Sequence, residues 1–384
     1  MKIRVGIYLE AVVLAVATAT ASSCSGPDSP ADPSSHGDFD VYIEEQPGEV
    51  PPGTITTWNI RDFRVSAFNS SNCHDAIMFN VEVVRTNLNS WSYSPAVEWP
   101  DYPIDFEAVT PATEEITTLG LWEWGYPSTV LFDTHGEAKT DFCIAAARHI
   151  RQTTGRIRLN FRHAMARIDI KVASDIPSAT LVVKKIDMFN VCSKSTFFFP
   201  RGSTFPQDQI GQLDDSWAAW TQDNANDTIP FFISENPEGI AVDSVLRSIG
   251  NQDNRFYIPY TFRTLAESNG HITGSGIRML CKIVDNASGR QIWPDRDTPY
   301  QLIPQQWSYK WAYIFLPLGD SSVPETDTRN RWRPGYNYNY RIHINRQGTL
   351  PPPLRRESEA TDFRAAEGCG MDQNNSISVE ATPY

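Results

Sequence analysis

The sequence lacks every short motif that marks a common class of enzyme. Its 384 residues contain no HExxH, no GxSxG, no GxxxxGK[ST] and no GxGxxG after a strand pattern. The absence of these motifs favours a protein that binds or assembles over a catalyst. We expect no enzymatic activity and no cofactor; a hydrolase whose catalytic groups come from distant positions is kept as a third hypothesis.

Basic residues are fewer than acidic ones. Lys and Arg number 33 against 46 Asp and Glu, which gives a formal net charge of −13 at pH 7. Because such a surface repels phosphate groups, we expect no nucleic acid as a partner. From Cys24 to Ile60 no Lys or Arg occurs at all, so Arg61 and Arg64 are the first positions after Cys24 at which a trypsin-like protease finds a target.

Cysteine is scarce, and its spacing matches no metal site. No CxxC occurs, and no Cys/His pair has the spacing typical of metal ligands, so the sequence predicts no metal ion. Cys24 is a candidate for lipid attachment, which leaves an odd number of cysteines. One or two disulfides, or scattered buried thiols, are both compatible with the remaining five: Cys73, Cys143, Cys192, Cys281 and Cys369.

Only one long apolar run is present, at the N-terminus. Lys2 and Arg4 precede apolar residues from Val5 to about Ala19, and small residues then lead to Cys24. This order is typical of a secretory signal, residues 1–23, followed by a lipid-attachment cysteine. The alternative is ordinary cleavage with Cys24 as a bystander. Residues 24–38, rich in Pro, Ser and Asp, are predicted to form a flexible tether.

Composition and pattern favour an all-β fold. Hydrophobic residues make up 40% of the chain, and 27 Pro and 22 Gly are spread along it, as expected for many short strands joined by turns. The stretch Arg156–Val172 alternates apolar and polar residues up to Met165 and then changes parity, with Ile168 and Ile170 now apolar. Because strand side chains repeat with period two, we predict either a bulge near Ala166 or a second strand that begins there in a different sheet.

Further segments are predicted from the same patterns. A short helix is predicted at Asp141–Ile150, where Asp141 precedes an Ala-rich run and is a candidate N-cap. Ser376–Tyr384 alternates like a strand that could pair with another sheet's exposed edge. The other predicted strands are Phe39–Glu44, Ile55–Ile60, Phe63–Phe68, Phe79–Arg85, Ala179–Asn190 with a bulge before Met188, Phe256–Phe262, Ile277–Val284, Trp311–Leu316 and Tyr336–Ile344.

Few residues stand out as candidate ligands or catalysts. His163 falls on the apolar face of its strand and is predicted to be a satisfied core residue. Asp223–Asp227 clusters oxygen atoms without the spacing of a calcium loop and is predicted to be a solvated turn. One aromatic group is interpreted either as filling of a β-sandwich or as a platform that stacks on carbohydrate: Trp122, Trp124 and Tyr126.

Several segments, taken in this order, resemble the fimbrillins, the subunits of the type V pili of Gram-negative anaerobes. They follow a lipoprotein-type signal and together cover most of the chain after it. The segments are Phe63–Phe68 (FRVSAF), Trp91–Tyr93, Trp99-Pro100, Ile104–Ala108 with Pro111, Arg158–Val172 (RLNFRHAMARIDIKV) and Trp332–Tyr338 (WRPGYNY).

The resemblance implies two tandem transthyretin-like (Greek-key) β-sandwich domains, residues 39–165 and 166–347, followed by a linker and donor-strand candidate, 348–384. It implies export as an outer-membrane lipoprotein at the cell surface, with Cys24 carrying the lipid. It also implies removal of the N-terminal strand by an arginine-specific or trypsin-like protease at Arg61 or Arg64. Polymerisation would then proceed through a donated C-terminal strand whose inserted side chains are Ile377, Val379 and Ala381.

The partners implied by the resemblance are other pilus subunits through strand exchange, the outer membrane through the lipid anchor, and a host or bacterial surface ligand for adhesion. Two alternatives stay open at the level of the sequence. One is a pilus anchor that is not cleaved. The other is a surface lipoprotein that binds glycans through the aromatic platform.

Overall fold

The computed structural model describes most of the chain between Phe39 and Pro383. The described residues are 39–43, 50–112, 116–119, 129–133, 140–151, 156–199, 220, 226–250, 255–268, 271–304, 309–319, 324, 330–344 and 376–383. The predicted signal and tether, and the predicted turn at Asp223–Asp227 apart from its last two residues, lie outside them. No helix within these ranges is long and apolar enough to cross a membrane.

The described residues form an all-β fold, as predicted, in which strands are joined by turns and one short 3-10 helix at Tyr300–Leu302. The first twelve strands are β1 Phe39–Ile43, β2 Asp62–Asn69, β3 Asn72–Asn87, β4 Ser90–Tyr93, β5 Ile104–Thr110, β6 Ile116–Leu119, β7 Thr129–Asp133, β8 Cys143–Ile150, β9 Ile157–His163, β10 Ala166–Ser174, β11 Ala179–Val191 and β12 Lys194–Phe198. The others are β13 Asp227–Ile233, β14 Ile240–Val242, β15 Arg247–Ser248, β16 Phe256–Tyr257, β17 Ala266–Ser268, β18 His271–Thr273, β19 Gly276–Asp285, β20 Gln291–Trp293, β21 Ala312–Pro317, β22 Tyr336–Ile344 and β23 Ser376–Pro383.

The strands form several sheets. The first has the order β1-β9-β8-β5-β2-β3-β4, with β1 at one edge. A second has the order β15-β10-β22-β23, with β16 also on β10, and a third has the order β13-β11-β19-β20, with β14 on β11 and β21 on β19. Two smaller sheets are β12-β7-β6 and β17-β18.

Two hydrophobic clusters account for most of the described core. The smaller cluster belongs to the first sheet and includes Phe39, Phe63, Phe106 and Phe161. The larger cluster lies on the second and third sheets and includes residues from Ile168 to Ile344 along the chain. The larger cluster also takes in Val109, Phe142, Ile144, Ala164 and Met165 from the part of the chain before residue 166. The division into two tandem transthyretin-like domains with a boundary between residues 165 and 166 stays a prediction.

The change of parity at Ala166 marks the end of one strand and the start of another in a different sheet. β9 ends at His163 in the first sheet, and β10 begins at Ala166 in the second. Phe161 packs in the smaller cluster, whereas Ala164 and Met165 already pack in the larger one. The second of the two predicted alternatives is therefore correct, because the apolar face must change sides when the chain enters a new core.

Three sequence predictions are wrong in detail. The helix predicted at Asp141–Ile150 is absent: Cys143–Ile150 forms a strand, β8, and Asp141 precedes it. β8 lies between β5 and β9, where its small side chains fit a closely packed sheet, and this packing overrides the helical preference of alanine. Ile55–Ile60 makes a turn instead of a strand. Of Phe256–Phe262, only Phe256–Tyr257 pairs as a strand.

The remaining strand predictions are close to the observed bounds, except that the strand predicted at Phe79–Arg85 is part of the longer β3, Asn72–Asn87. β22 has the predicted limits, and Tyr338, Tyr340, Ile342 and Ile344 on its predicted apolar face are buried. The predicted bulge before Met188 is present in β11, where the pairing with β13 shifts register between Ile186 and Asp187.

Candidate functional site

The N-terminal strand β1 closes the edge of the first sheet and fills its core. It runs parallel to β9, with Phe39 opposite Ile157 and Ile43 opposite Phe161. Phe39, Val41 and Ile43 are buried. The ring centroid of Phe39 lies 5.4 Å from that of Phe63, 5.8 Å from that of Tyr93 and 6.2 Å from that of Phe106. Five residues of strand thus complete an aromatic core built by other strands.

The segment between β1 and β2 is held by side-chain contacts to its backbone. The Thr57 hydroxyl oxygen accepts a hydrogen bond from the Ile43 N–H at 3.0 Å. The Arg85 Nη1 donates to the carbonyl oxygens of Thr57, Trp58 and Ile60 at 3.2, 3.1 and 3.0 Å. One guanidinium therefore fixes the turn that leads to Arg61, while the Trp58 side chain is 72% exposed.

The two candidate cleavage residues have different surroundings. Arg61 is exposed and precedes β2, and its carbonyl oxygen accepts a hydrogen bond from the Arg85 N–H at 2.8 Å. Arg64 lies inside β2, where its backbone is paired with Glu82 in β3 and with Val109 in β5. A protease that binds its substrate as an extended strand has far less structure to open around Arg61 than around Arg64.

The C-terminal strand β23 pairs antiparallel with β22 along eight residue pairs, from Tyr336 opposite Pro383 to His343 opposite Ser376. The donor-strand candidates occupy regular positions in this ladder: Ile377 faces Ile342, Val379 faces Tyr340 and Ala381 faces Tyr338. The C-terminal segment is thus a strand, as predicted, and in this structure it occupies the edge of the chain's own second sheet.

A buried polar cluster lies where the two hydrophobic clusters meet. Asp141, Cys143 and His163 are all buried. The Asp141 Oδ2 lies 2.8 Å from His163 Nδ1 and 3.9 Å from Cys143 Sγ, and Cys143 Sγ lies 3.3 Å from His163 Nδ1. The Asp141 Oδ2 also accepts a hydrogen bond from the Ile55 N–H at 2.9 Å. We refer to these three side chains as the seam cluster.

The seam cluster is assembled by strand register. Cys143 at the start of β8 stands opposite His163 at the end of β9, and Asp141 precedes β8 by two residues. Burial and the neighbouring Asp141 carboxylate raise the pKa of the Cys143 thiol well above its usual value, so the thiol is protonated at neutral pH. His163 is a core residue, as predicted, but its polar partners were not foreseen.

The structure describes some of the other candidate residues and not others. Cys143, Cys192 and Cys281 are buried and form no disulfide with one another, which agrees with the second of the two cysteine alternatives for these three. Cys369 and the candidate lipid-attachment Cys24 lie outside the described residues, and the side chain of Cys73 is not described. The aromatic platform formed by Trp122, Trp124 and Tyr126 also lies outside them.

Comparisons with known proteins agree with the sequence resemblance. A family model described as fimbrillin-like matches residues 54–242. A search against curated proteins finds no match. Among solved structures, a candidate cell adhesion protein from Parabacteroides distasonis is similar at a TM-score of 0.49 and 11% identity, with 91% of this chain and 96% of that chain covered.

Two fimbrial proteins of Porphyromonas gingivalis are also similar in structure. The tip fimbrial protein Mfa3 has a TM-score of 0.37 and 9% identity, with 90% of this chain and 100% of that chain covered. The fimbrial anchor protein Mfa2 has a TM-score of 0.33 and 10% identity, with 91% and 98% covered.

Proposed function

Because the chain is fimbrillin-like over residues 54–242, we propose that it is a structural subunit of a cell-surface pilus. In this proposal the protein is exported as a lipoprotein through Cys24, activated by proteolysis and polymerised by β-strand donation, and the fibre supports adhesion. Its partners are other subunits, of the same or a related kind, and the outer membrane. The observation that carries the proposal is the position of β1.

β1 has the properties of a strand that a fibre subunit exchanges. It lies at a sheet edge, it is only five residues long, and Phe39, Val41 and Ile43 are buried in the smaller cluster. Each such side chain is stabilised by about 1.5–3 kcal/mol when it leaves water. Removal of β1 would uncover this apolar surface together with the unpaired backbone groups of β9, and both favour an incoming strand.

The linker after β1 offers a suitable cleavage position. Of the two arginines, Arg61 fits better, because it is exposed and lies before β2, whereas the backbone of Arg64 is paired on both sides. Cleavage after Arg61 would separate β1 from the rest of the chain and leave β2 whole. Cleavage after Arg64 would remove three residues from a strand that lies between two others.

β23 is the candidate donor. Its backbone can form a regular ladder, as its pairing with β22 illustrates. Residues 345–375 connect β22 to β23. If fully extended at about 3.3–3.6 Å per residue, this connection has a maximum reach on the order of 100 Å. That length is sufficient for β23 to leave its own sheet and enter the groove of a neighbouring subunit.

The test is mass spectrometry before and after mild trypsin treatment, combined with size-exclusion chromatography of the product. We expect one discrete cut after Arg61, followed by oligomers that grow with concentration. Deletion of Ser376–Tyr384 should leave the cut unchanged and abolish the oligomers. A cleaved protein that stays monomeric at every concentration contradicts assembly by strand donation.

An uncut protein would identify a different member of the same system. If trypsin leaves the segment before β2 intact while it digests a denatured control, the chain fits a pilus anchor that keeps its own β1. That result would overturn the proposed processing step.

A further inference from the structure

We infer that the seam cluster is a binding site for one divalent transition-metal ion and that zinc is its best match. The site consists of a carboxylate, a thiol and an imidazole, from Asp141, Cys143 and His163. The inference concerns the folded chain itself and does not depend on cleavage or polymerisation.

The three ligand atoms converge on one point. Their separations are 2.8, 3.3 and 3.9 Å. Around a tetrahedral zinc ion with bonds of about 2.0–2.3 Å, neighbouring ligand atoms lie about 3.3–3.7 Å apart. The observed distances fall on both sides of this range, so a shift of about half an ångström by the Asp141 carboxylate would fit the ion.

Hydrogen bonds account for only part of the arrangement. The His163 Nδ1–H can donate to the Asp141 Oδ2 at 2.8 Å and the Cys143 S–H to the same oxygen at 3.9 Å, while the Cys143 Sγ also lies 3.3 Å from Nδ1. A catalytic relay would instead place the nucleophile and the carboxylate on opposite ring nitrogens. The second carboxylate oxygen of Asp141 is buried and has no hydrogen-bond partner among the described residues. A buried carboxylate of this kind is stabilised by coordination to a cation.

Charge and ligand type both indicate zinc. A doubly charged ion bound to one carboxylate, one thiolate and one neutral imidazole forms a neutral unit, which a buried position tolerates. On binding, the Cys143 S–H bond is replaced by a sulfur–metal bond, and the proton leaves to solvent. A thiolate and an imidazole suit zinc and disfavour calcium and magnesium, which prefer oxygen ligands. The fourth coordination position would be taken by water or a backbone oxygen.

The location indicates what the metal would do. Cys143 at the start of β8 is paired with His163 at the end of β9, and the Asp141 Oδ2 accepts a hydrogen bond from the Ile55 N–H in the linker before β2. Phe142 and Ala164, next to these ligands along the chain, pack in the larger cluster, while Cys143 packs in the smaller one. A bound ion would therefore fasten the linker and both clusters at one point.

The experiment measures metal in the purified, tag-free full chain, produced under reducing conditions in medium supplemented with zinc. We expect about one zinc ion per chain, lost in Cys143→Ala and retained in Cys281→Ala. Cys281 is a suitable control because it too is buried and free, and it lies in β19, far along the chain from the seam cluster.

A second measurement does not depend on any variant being folded. Wild-type protein produced with cobalt in place of zinc should show a thiolate-to-cobalt charge-transfer band, and Cys281→Ala should show the same band. Wild-type protein without bound zinc and without this band would overturn the inference and would identify the cluster as a hydrogen-bonded polar network. Zinc that is equally abundant in wild type and in folded Cys143→Ala would also overturn it.

Discussion

The two terminal strands of the described fold, β1 and β23, both close the edge of a sheet, but they differ in every other respect. β1 is five residues long, runs parallel to its neighbour β9, and fills a core with aromatic contacts from Phe39. β23 is eight residues long, runs antiparallel to β22, and follows a connection formed by residues 345–375. One strand is short and deeply inserted, whereas the other is longer and has a long connection.

This difference indicates which role each strand would have in strand exchange between subunits. A strand whose removal uncovers a core leaves a site that must be refilled, and β1 is such a strand. A strand on a long connection can reach another molecule while its own sheet keeps its remaining members, and β23 has this property. This asymmetry between the two ends of one chain is the structural basis on which we propose the cycle of cleavage and donation.

The largest expected effect concerns release of β1. Arg61→Gln should abolish the discrete tryptic cut before β2, because no other Lys or Arg precedes it as far back as Cys24 and Arg64 is protected inside its sheet. Arg64→Gln is the matched control and should leave the cut unchanged. Intact-mass spectrometry after mild digestion gives the answer; persistence of the cut in Arg61→Gln would assign it to Arg64.

The next-largest expected effect concerns the stability of the second sheet, which carries the C-terminal strand β23. Asp169→Ala in β10, which carries β22, should lower the free energy of unfolding by about 3–5 kcal/mol. Its carboxylate pairs with the buried Arg255 guanidinium and accepts hydrogen bonds from the Ser248 hydroxyl at 2.7 and 2.8 Å. The substitution removes this carboxylate from beside the buried Arg255 guanidinium.

A surface pair beside β15 provides the control for Asp169→Ala. Asp243→Ala breaks an exposed pair with Arg247 and should cost about 0–1 kcal/mol. Both variants are compared with wild type by urea unfolding. Equal effects of the two substitutions would contradict the assignment of stability to the buried pair.

At the N-terminal edge, Phe39→Ala should lower the free energy of unfolding by about 3 kcal/mol, at the lower end of the range for loss of a buried phenylalanine, because a five-residue edge strand can fray. Tyr42→Ala in the same strand is the control and should cost at most about 1 kcal/mol, since Tyr42 is 41% exposed and its ring lies against the Arg158 guanidinium. Thermal and urea unfolding measure both. A smaller effect at Phe39 than at Tyr42 would contradict the role of β1 as a core-filling strand.

The smallest expected effect lies at the entry to β22. Gly335 has φ of +72°, and its N–H donates to the Met165 carbonyl oxygen at 2.8 Å. The nearest atom to an added Cβ is 3.6 Å away, so Gly335→Ala introduces backbone strain and no clash. We expect a loss of about 1–2 kcal/mol, read from the urea midpoint. Gly289 also has positive φ, and a Cβ added there meets no atom within 4 Å. Gly289→Ala should therefore lower the free energy of unfolding by a similar amount, as expected if the effect at both positions comes from backbone strain.

Strands whose buried faces alternate were predictable from the sequence. β22 and β9 each have one more exposed and one apolar face; the period-two pattern gave the limits of β22, and it extended two residues beyond the end of β9 at His163. The change of parity after Met165 also located the break near Ala166, with a change of sheet as one of two alternatives, because a strand cannot turn its apolar face away from its core without a break.

β8 and the seam cluster could not be found by local patterns. The Ala-rich stretch of β8 has strong helical preference, and only its two neighbouring strands make it extended. Cys143 and His163 are twenty residues apart and meet through the β8–β9 register. A prediction of β8 as a strand paired with β9 would have placed these two residues opposite each other. A search for metal-ligand motifs of short sequence spacing does not use strand pairing and therefore misses them.

The passage from β9 to β10 has a mechanical consequence. Only Ala164 and Met165 separate the two strands, and both are fully buried. Two residues span about 7 Å at most, so the chain has no slack at this point. A pulling force along the backbone would pass directly from one sheet to the next and load their hydrogen bonds in shear, because there is no linker to straighten first. At this junction, extension of the folded chain would therefore have to begin with the separation of a strand from its sheet.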